Sequence, residues 1–240
     1  FVMVRLLGFI PEQFGTTQDA LSKTLQRKLV AAKRNYDGTI LPGEVDVFSF
    51  EPLLFKGNVL ETSQITMRAD LCYDYTTFAT AKICIKDDAL ESAQDYSLCK
   101  LRSDDPVGNS GGPLQVVAVD QTPVGNDRIQ LSLTVAHMGH GMNFRRGTQD
   151  PKYACEFSPQ NRDAFYATLF VKPIDDKNFA LQCQGLTEQS PDGYVFGEIR
   201  LFDNAPVTVT CFLKKLTIGK NRVFQSLLQM KLKYRYGEFI

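Results

Sequence analysis

Three groups of residues in this chain of 240 have types and spacing that chemistry could use. Gly108-Asn109-Ser110-Gly111-Gly112-Pro113 presents a serine in a glycine-rich loop, and Val135-Ala136-His137 supplies an imidazole further along. A serine becomes a nucleophile when a histidine takes its proton and an acid orients that histidine. His137 and His140, the only histidines, stand close together in His137-Met138-Gly139-His140-Gly141 and offer two nitrogen ligands to a metal. Asp87-Asp88 with Glu91, Asp104-Asp105 and Asp175-Asp176 offer the hard oxygen ligands that calcium takes.

Each group lacks a part. The serine loop resembles the nucleophile loop of trypsin-like serine proteases, but that family places its histidine a full domain before the serine, and no histidine precedes Ser110 here. A Gly/Ser/Pro linker explains the hexapeptide without catalysis. Two imidazoles are short of a metal site, and the glycines beside His140 read as a tight turn. The acidic pairs lack a DxDxDG-type run and read as solvated loops, with calcium the weaker alternative. We therefore expect no catalytic, cofactor or metal residues, and a protein that is not an enzyme.

The cysteines carry more. Cys72, Cys84, Cys99, Cys155, Cys183 and Cys211 are even in number and contain no CxxC pair, which favours disulfides in an oxidising compartment over zinc or a redox dithiol. In Phe179-Ala180-Leu181-Gln182-Cys183 and in Val207-Thr208-Val209-Thr210-Cys211-Phe212-Leu213 the apolar residues and the cysteine share odd positions, so both thiols face one core. That parity predicts Cys183 to Cys211; the pairing of Cys72, Cys84, Cys99 and Cys155 stays open.

Lysine plus arginine equals aspartate plus glutamate at 27 each, so no net field draws the chain to nucleic acid or an anionic membrane. The longest apolar run, Phe1 to Ile10, is interrupted by Arg5 and falls short of the ~20 residues that span a bilayer. A start at Phe1 rather than Met is what a processed precursor would give.

The elements that would position these residues are mostly strands. Ile129, Leu131, Leu133 and Val135 alternate with polar residues, as do Leu228, Met230, Leu232, Tyr234 and Tyr236. Similar runs lie at Leu114–Val119, Tyr166–Val171, Phe179–Cys183, Tyr194–Phe202 and Val207–Leu213, which predicts an immunoglobulin-like antiparallel β-sandwich over 114–240. Upstream, strands are expected at Val2–Phe9, Glu44–Phe50, Gln64–Tyr75 and Ala81–Ile85. Leu21, Leu25, Leu29 and Ala32 at helical spacing predict one amphipathic helix over about 17–33. The chain also echoes itself: Gly43–Pro52 returns as Gly197–Pro206, and Leu71–Phe78 as Leu232–Phe239. The expected fold is mostly β, with an N-terminal sandwich domain at 1–100 carrying the helix, a linker at 101–113 and a C-terminal domain at 114–240.

Leu71-Cys72-Tyr73-Asp74-Tyr75-Thr76-Thr77-Phe78-Ala79, Ile83-Cys84-Ile85, Cys99, Gly111-Gly112-Pro113-Leu114-Gln115-Val116-Val117-Ala118-Val119, the stretch Ile129 to Gly141 and the cysteines at 183 and 211 together resemble a group of archaeal secreted or cell-surface proteins with tandem immunoglobulin-like modules. The resemblance covers Gly43 to Ile240, and it departs from the group at His137 and at the Thr17 to Lys33 segment. It implies an extracellular or cell-surface location and supplies no catalytic residues. With the repeat and the cysteines, it leads to an expected structural role as a homo-oligomer or homopolymer: a subunit of a filament, tube or surface layer, without nucleic acid or membrane insertion. Phe1, Val2, Val4, Leu6 and Phe9 form the candidate assembly strand, donated to a neighbouring sheet edge. The alternative is an adhesin-like binding module that holds a glycan or protein on its loops.

Overall fold

Period-two alternation gives strands wherever one face of the chain can be buried. The computed structural model describes residues 1–25, 27–34, 39–58, 62, 64–86, 106–125, 128–147, 155–156, 161–174, 179–216 and 223–240. Its strands are β1 (Val2–Leu7), β2 (Ser22–Leu25), β3 (Lys33–Arg34), β4 (Ile40–Leu41), β5 (Arg68–Lys86), β6 (Gly108–Asn109), β7 (Leu114–Pro123), β8 (Arg128–His137), β9 (Met142–Phe144), β10 (Tyr166–Pro173), β11 (Phe179–Cys183), β12 (Glu188–Gln189), β13 (Val195–Arg200), β14 (Val207–Lys215) and β15 (Val223–Phe239). The chain is mostly β, with two antiparallel sheets: one of nine strands in the order β12-β13-β10-β15-β5-β1-β2, with β6 on β5 and β9 on β15, and one of four in the order β11-β14-β8-β7. β3 and β4 form a separate hairpin.

The chain divides into two compact units that interleave in sequence. Unit 1 comprises residues 1–75, 140–164 and 235–240, and unit 2 comprises 76–139 and 165–234. These boundaries differ from the sequence division at 101–113, of which the described part, 106–113, belongs to unit 2.

Two long strands pass from one unit into the other, and β5 changes its buried face on the way. Asp70 and Cys72 are buried in unit 1, whereas Thr77, Ala79, Ala81, Ile83 and Ile85 are buried in unit 2. The inversion of parity between Cys72 and Thr77 breaks the sequence pattern without breaking the strand. The alternation alone therefore predicts two separate strands where one of 19 residues exists.

Unit 2 buries Leu114, Val116, Leu131, Leu133, Leu169, Val171, Leu213, Leu228 and Leu232. Each such side chain contributes about 1.5–3 kcal/mol by leaving water. Several polar groups inside are paired. The Tyr234 hydroxyl bonds Thr77 Oγ1 at 2.9 Å and accepts the Leu114 amide at 3.2 Å, and Gln121 Oε1 accepts the Cys84 amide at 3.0 Å. Cys183 and Cys211 sit opposite each other in β11 and β14 and form a disulfide, as the shared parity of those strands predicts.

In unit 1, a second disulfide joins Cys72 to Cys155. Cys84 is also disulfide-bonded, and Cys99 lies outside the described residues. The helix expected over 17–33 does not form. Ser22–Leu25 is a strand paired with β1, Leu25 opposite Val2 and Lys23 opposite Val4. Spacing alone suits a helix there, but the backbone groups of β1 capture the segment, and tertiary pairing outweighs intrinsic preference. Glu44–Phe50, expected as a strand, carries no regular structure. The first echo, Gly43–Pro52 with Gly197–Pro206, thus joins an irregular segment to β13, while the second joins parts of β5 and β15, which are neighbours in the nine-stranded sheet.

Candidate functional site

The serine loop serves as a stitch between strands. Ser110 donates its amide to Phe78 O at 2.9 Å and accepts the Phe78 amide on its hydroxyl oxygen at 3.0 Å. Beside it the Asn109 side chain imitates a peptide group: Oδ1 accepts the Val116 amide at 3.1 Å and Nδ2 donates to Val116 O at 3.0 Å. β6 therefore pairs with β5 on one side and caps the edge of β7 on the other, within unit 2. His137 ends β8 opposite Leu114. His140 belongs to unit 1, in a bend whose Gly141 amide donates to the Tyr236 hydroxyl at 2.7 Å. Among the described residues, no group of three His, Cys, Asp or Glu side chains is placed to hold a metal. Asp87, Asp88, Glu91, Asp104, Asp105, Asp175 and Asp176 lie outside the described residues.

The proposed assembly strand is built into its own unit. β1 is hydrogen-bonded along both edges, to β2 and to β5: Val2 faces Leu25 and Tyr73, Val4 faces Lys23 and Leu71, and Leu6 faces Ala69. Phe1 O accepts the Asp74 amide at 3.0 Å. The Phe1 ring lies under the Arg235 guanidinium at 4.4 Å, and Phe9 packs edge-on against Phe14 at 5.0 Å. Arg235 is buried and held by Asp74 at 2.9 Å, whose other oxygen takes Arg146 at 3.3 Å. A strand with both ladders filled offers no edge to a neighbour, so a free N-terminal donor is not what this fold presents.

Tyr234 and Tyr236 are buried, and Tyr73 lies 5.8 Å from Tyr236. Burial raises the phenol pKa of Tyr75 and of Tyr236 above the usual value.

Two surfaces remain that the sequence did not disclose. The first is a face of the nine-stranded sheet in unit 2. Phe170 stacks on Phe196 at 4.7 Å, Lys233 lies over Phe170 at 4.5 Å, and Lys231 lies over Tyr194 at 3.8 Å. Asp192 takes Lys231 at 3.4 Å, and the Ser190 hydroxyl holds the Asp192 carboxyl below its usual pKa. Further along, Arg200 lies over both Tyr166 at 5.2 Å and Phe202 at 5.3 Å, and Phe202 is 66% exposed. The backbone is strained beside it, with positive φ at Phe165, Asp203 and Asn204. The signal was present in the sequence: Phe170 and Phe196 occupy positions between buried neighbours, where polar residues are usual.

The second surface is a ribbon in unit 1. Lys33 pairs with Leu41 and Arg34 with Ile40 at the β3–β4 hairpin, and in the same register Glu44 donates its amide to Val30 O at 2.9 Å. Below that point side chains replace the ladder. Arg27 spans Glu44 at 3.2 Å and Asp46 at 3.0 Å, and Lys23 reaches Ser49 O at 2.6 Å. A Cβ on Gly43 would stand 2.9 Å from both Ala32 N and Val30 O, so the two arms approach closely there. Along the ribbon Val45 is 84% exposed and Val47 78% exposed, with Val30 and Leu41 also open to solvent.

Among the described residues no helix is long and apolar enough to cross a membrane. No protein-family model, curated protein or solved structure matches the chain.

Proposed function

We propose that this chain is an extracellular structural protein, a subunit of a cell-surface filament, tube or layer assembled through β-strand contacts between copies. The ribbon supports this reading most directly. Val45 and Val47 alternate on a strand-like sequence, stand almost fully in water and lack a main-chain ladder, a combination that a soluble monomer normally avoids. The disulfides fit an oxidising environment, and the resemblance to secreted archaeal proteins with immunoglobulin-like modules points the same way. Negative-stain microscopy of the purified chain over a concentration series tests the proposal. Regular polymers are expected, and monodisperse monomers at the highest concentration overturn it.

A second reading, a surface-binding module, is favoured by the aromatic and cationic face with its open Phe202 and Arg200. Such a face suits an anionic glycan, whose acidic groups pair with the cations. Binding to acidic polysaccharides that Phe202→Ser and Arg200→Ser abolish would support it, and equal binding by both variants would sink it.

A further inference from the structure

The two arms of the ribbon carry opposite charge. Residues 27–34, Arg-Lys-Leu-Val-Ala-Ala-Lys-Arg, hold four basic side chains and no acid, whereas 44–51, Glu-Val-Asp-Val-Phe-Ser-Phe-Glu, hold three acids and no base. Arg27 answers Glu44 and Asp46 within the chain, while Lys28 and Glu51 are exposed. The arms are bound to each other weakly. Exposed ion pairs contribute at most about 1 kcal/mol each, and a two-stranded ribbon by itself is marginal in water. Each arm thus gains from a further strand along its outer side.

We propose that the acidic arm of one copy, residues 44–51, adds as a strand along the basic arm, residues 27–34, of the next. The contact joins two different edges of the same element, so it is heterologous. A heterologous contact leaves one acidic and one basic arm open at the two ends and propagates instead of closing as a dimer. Main-chain hydrogen bonds would supply a ladder for the irregular segment 45–50, and Val45 and Val47 would leave water at the junction. The inference rests on the assembly reading and names its contact surface and polarity.

Sedimentation velocity and negative-stain microscopy of the whole chain test it, beside Val45→Asp/Val47→Asp, Lys28→Glu, Glu51→Lys, and an equimolar mixture of the last two. All four positions are exposed, and unchanged thermal melts would show that the variants fold. The wild type is expected to polymerise; the valine pair and each charge reversal should raise the onset concentration at least tenfold. The mixture should return it towards wild type, because each reversed arm then meets a reversed partner. Wild-type polymers that no variant alters would overturn the ribbon contact and leave the assembly reading standing. Loss in both single reversals without recovery in the mixture would refute the head-to-tail charge pairing. A wild type that stays monomeric would overturn both proposals.

Discussion

Asp74 illustrates how much one side chain can carry. Its carboxylate faces the buried Arg235 at 2.9 Å and Arg146 at 3.3 Å, and its amide fixes Phe1 O. Removing one partner of a buried pair leaves the other charge uncompensated, which costs about 3–5 kcal/mol. Asp74→Ala should therefore lower stability by about 3 kcal/mol in urea unfolding, with a smaller loss for Asp74→Asn, which keeps a hydrogen-bonding oxygen. A loss below 1 kcal/mol for the alanine variant would show that Arg235 finds water instead. Tyr236 makes a pH prediction. Burial, foremost, raises its phenol pKa above 10.0, and the Glu238 charge adds to this, while the bond from Gly141 pulls it down. A phenol whose folded pKa is raised contributes stability that is complete below pH 10 and is lost as the pH climbs through the folded value. Tyr236→Phe should cost about 1 kcal/mol at neutral pH by orphaning the Gly141 amide, and should flatten the fall in stability above pH 10. An unchanged alkaline limb would show that the phenol does not couple to folding.

The elements show what period and parity can reveal and where they stop. Cys183 and Cys211 lie on strands whose alternation fixes their face, and the loop they close spans 28 residues. In the chain-entropy account such a loop is worth about 3.5 kcal/mol, so replacing both cysteines by serine should reduce stability by that order, measured by urea unfolding with the slope fitted for each variant. A change below 1 kcal/mol would show that the unfolded chain retains residual structure and gains little freedom when the bridge is removed. β7, β8, β10, β11, β13 and β14 were legible because each keeps one wet face. The 17–33 segment was not, since Leu21, Leu25 and Leu29 satisfy helical spacing while the deciding interaction, pairing of Ser22–Leu25 with β1, comes from residues some twenty positions away. Glu44–Phe50 misled in the opposite sense: its composition suits a strand, but the arm beside it bonds through Arg27 and Lys23 side chains. The Phe170–Phe196 face escaped notice because alternation tells which positions are wet without telling that aromatics fill them. The glycine-rich loop around Ser110 reads as a linker in the sequence, and the hydrogen bonds of Ser110 to Phe78 and of Asn109 to Val116 emerge only when distant strands are brought together.

At the scale of the molecule, β5 and β15 each supply both units, and the consequence concerns which pieces of the chain can fold. A sequence reading that places a complete domain at 114–240 assumes that the strands of one core are contiguous. Unit 2 instead draws on residues 76–139 and 165–234, so a fragment of 114–240 lacks Thr77, Ala79, Ala81, Ile83 and Ile85 of β5 and the Asn109 bridge to Val116. With Cys84, six buried side chains of β5 are missing, the Tyr234 hydroxyl loses Thr77, and the vacated edge of β15 is left without its ladder. At about 1–3 kcal/mol for each of the larger side chains, the deficit approaches the whole stability of an ordinary domain. The 114–240 fragment should therefore give a poorly dispersed amide NMR spectrum and no cooperative melt, whereas 76–240 should recover dispersion for the strands of unit 2. A well-dispersed spectrum from 114–240 alone would show that β5 merely decorates a core the later strands already complete. Recovery only with the longer piece would establish that the buried half of β5, where the parity has changed, belongs to the same cooperative unit as the strands that follow it.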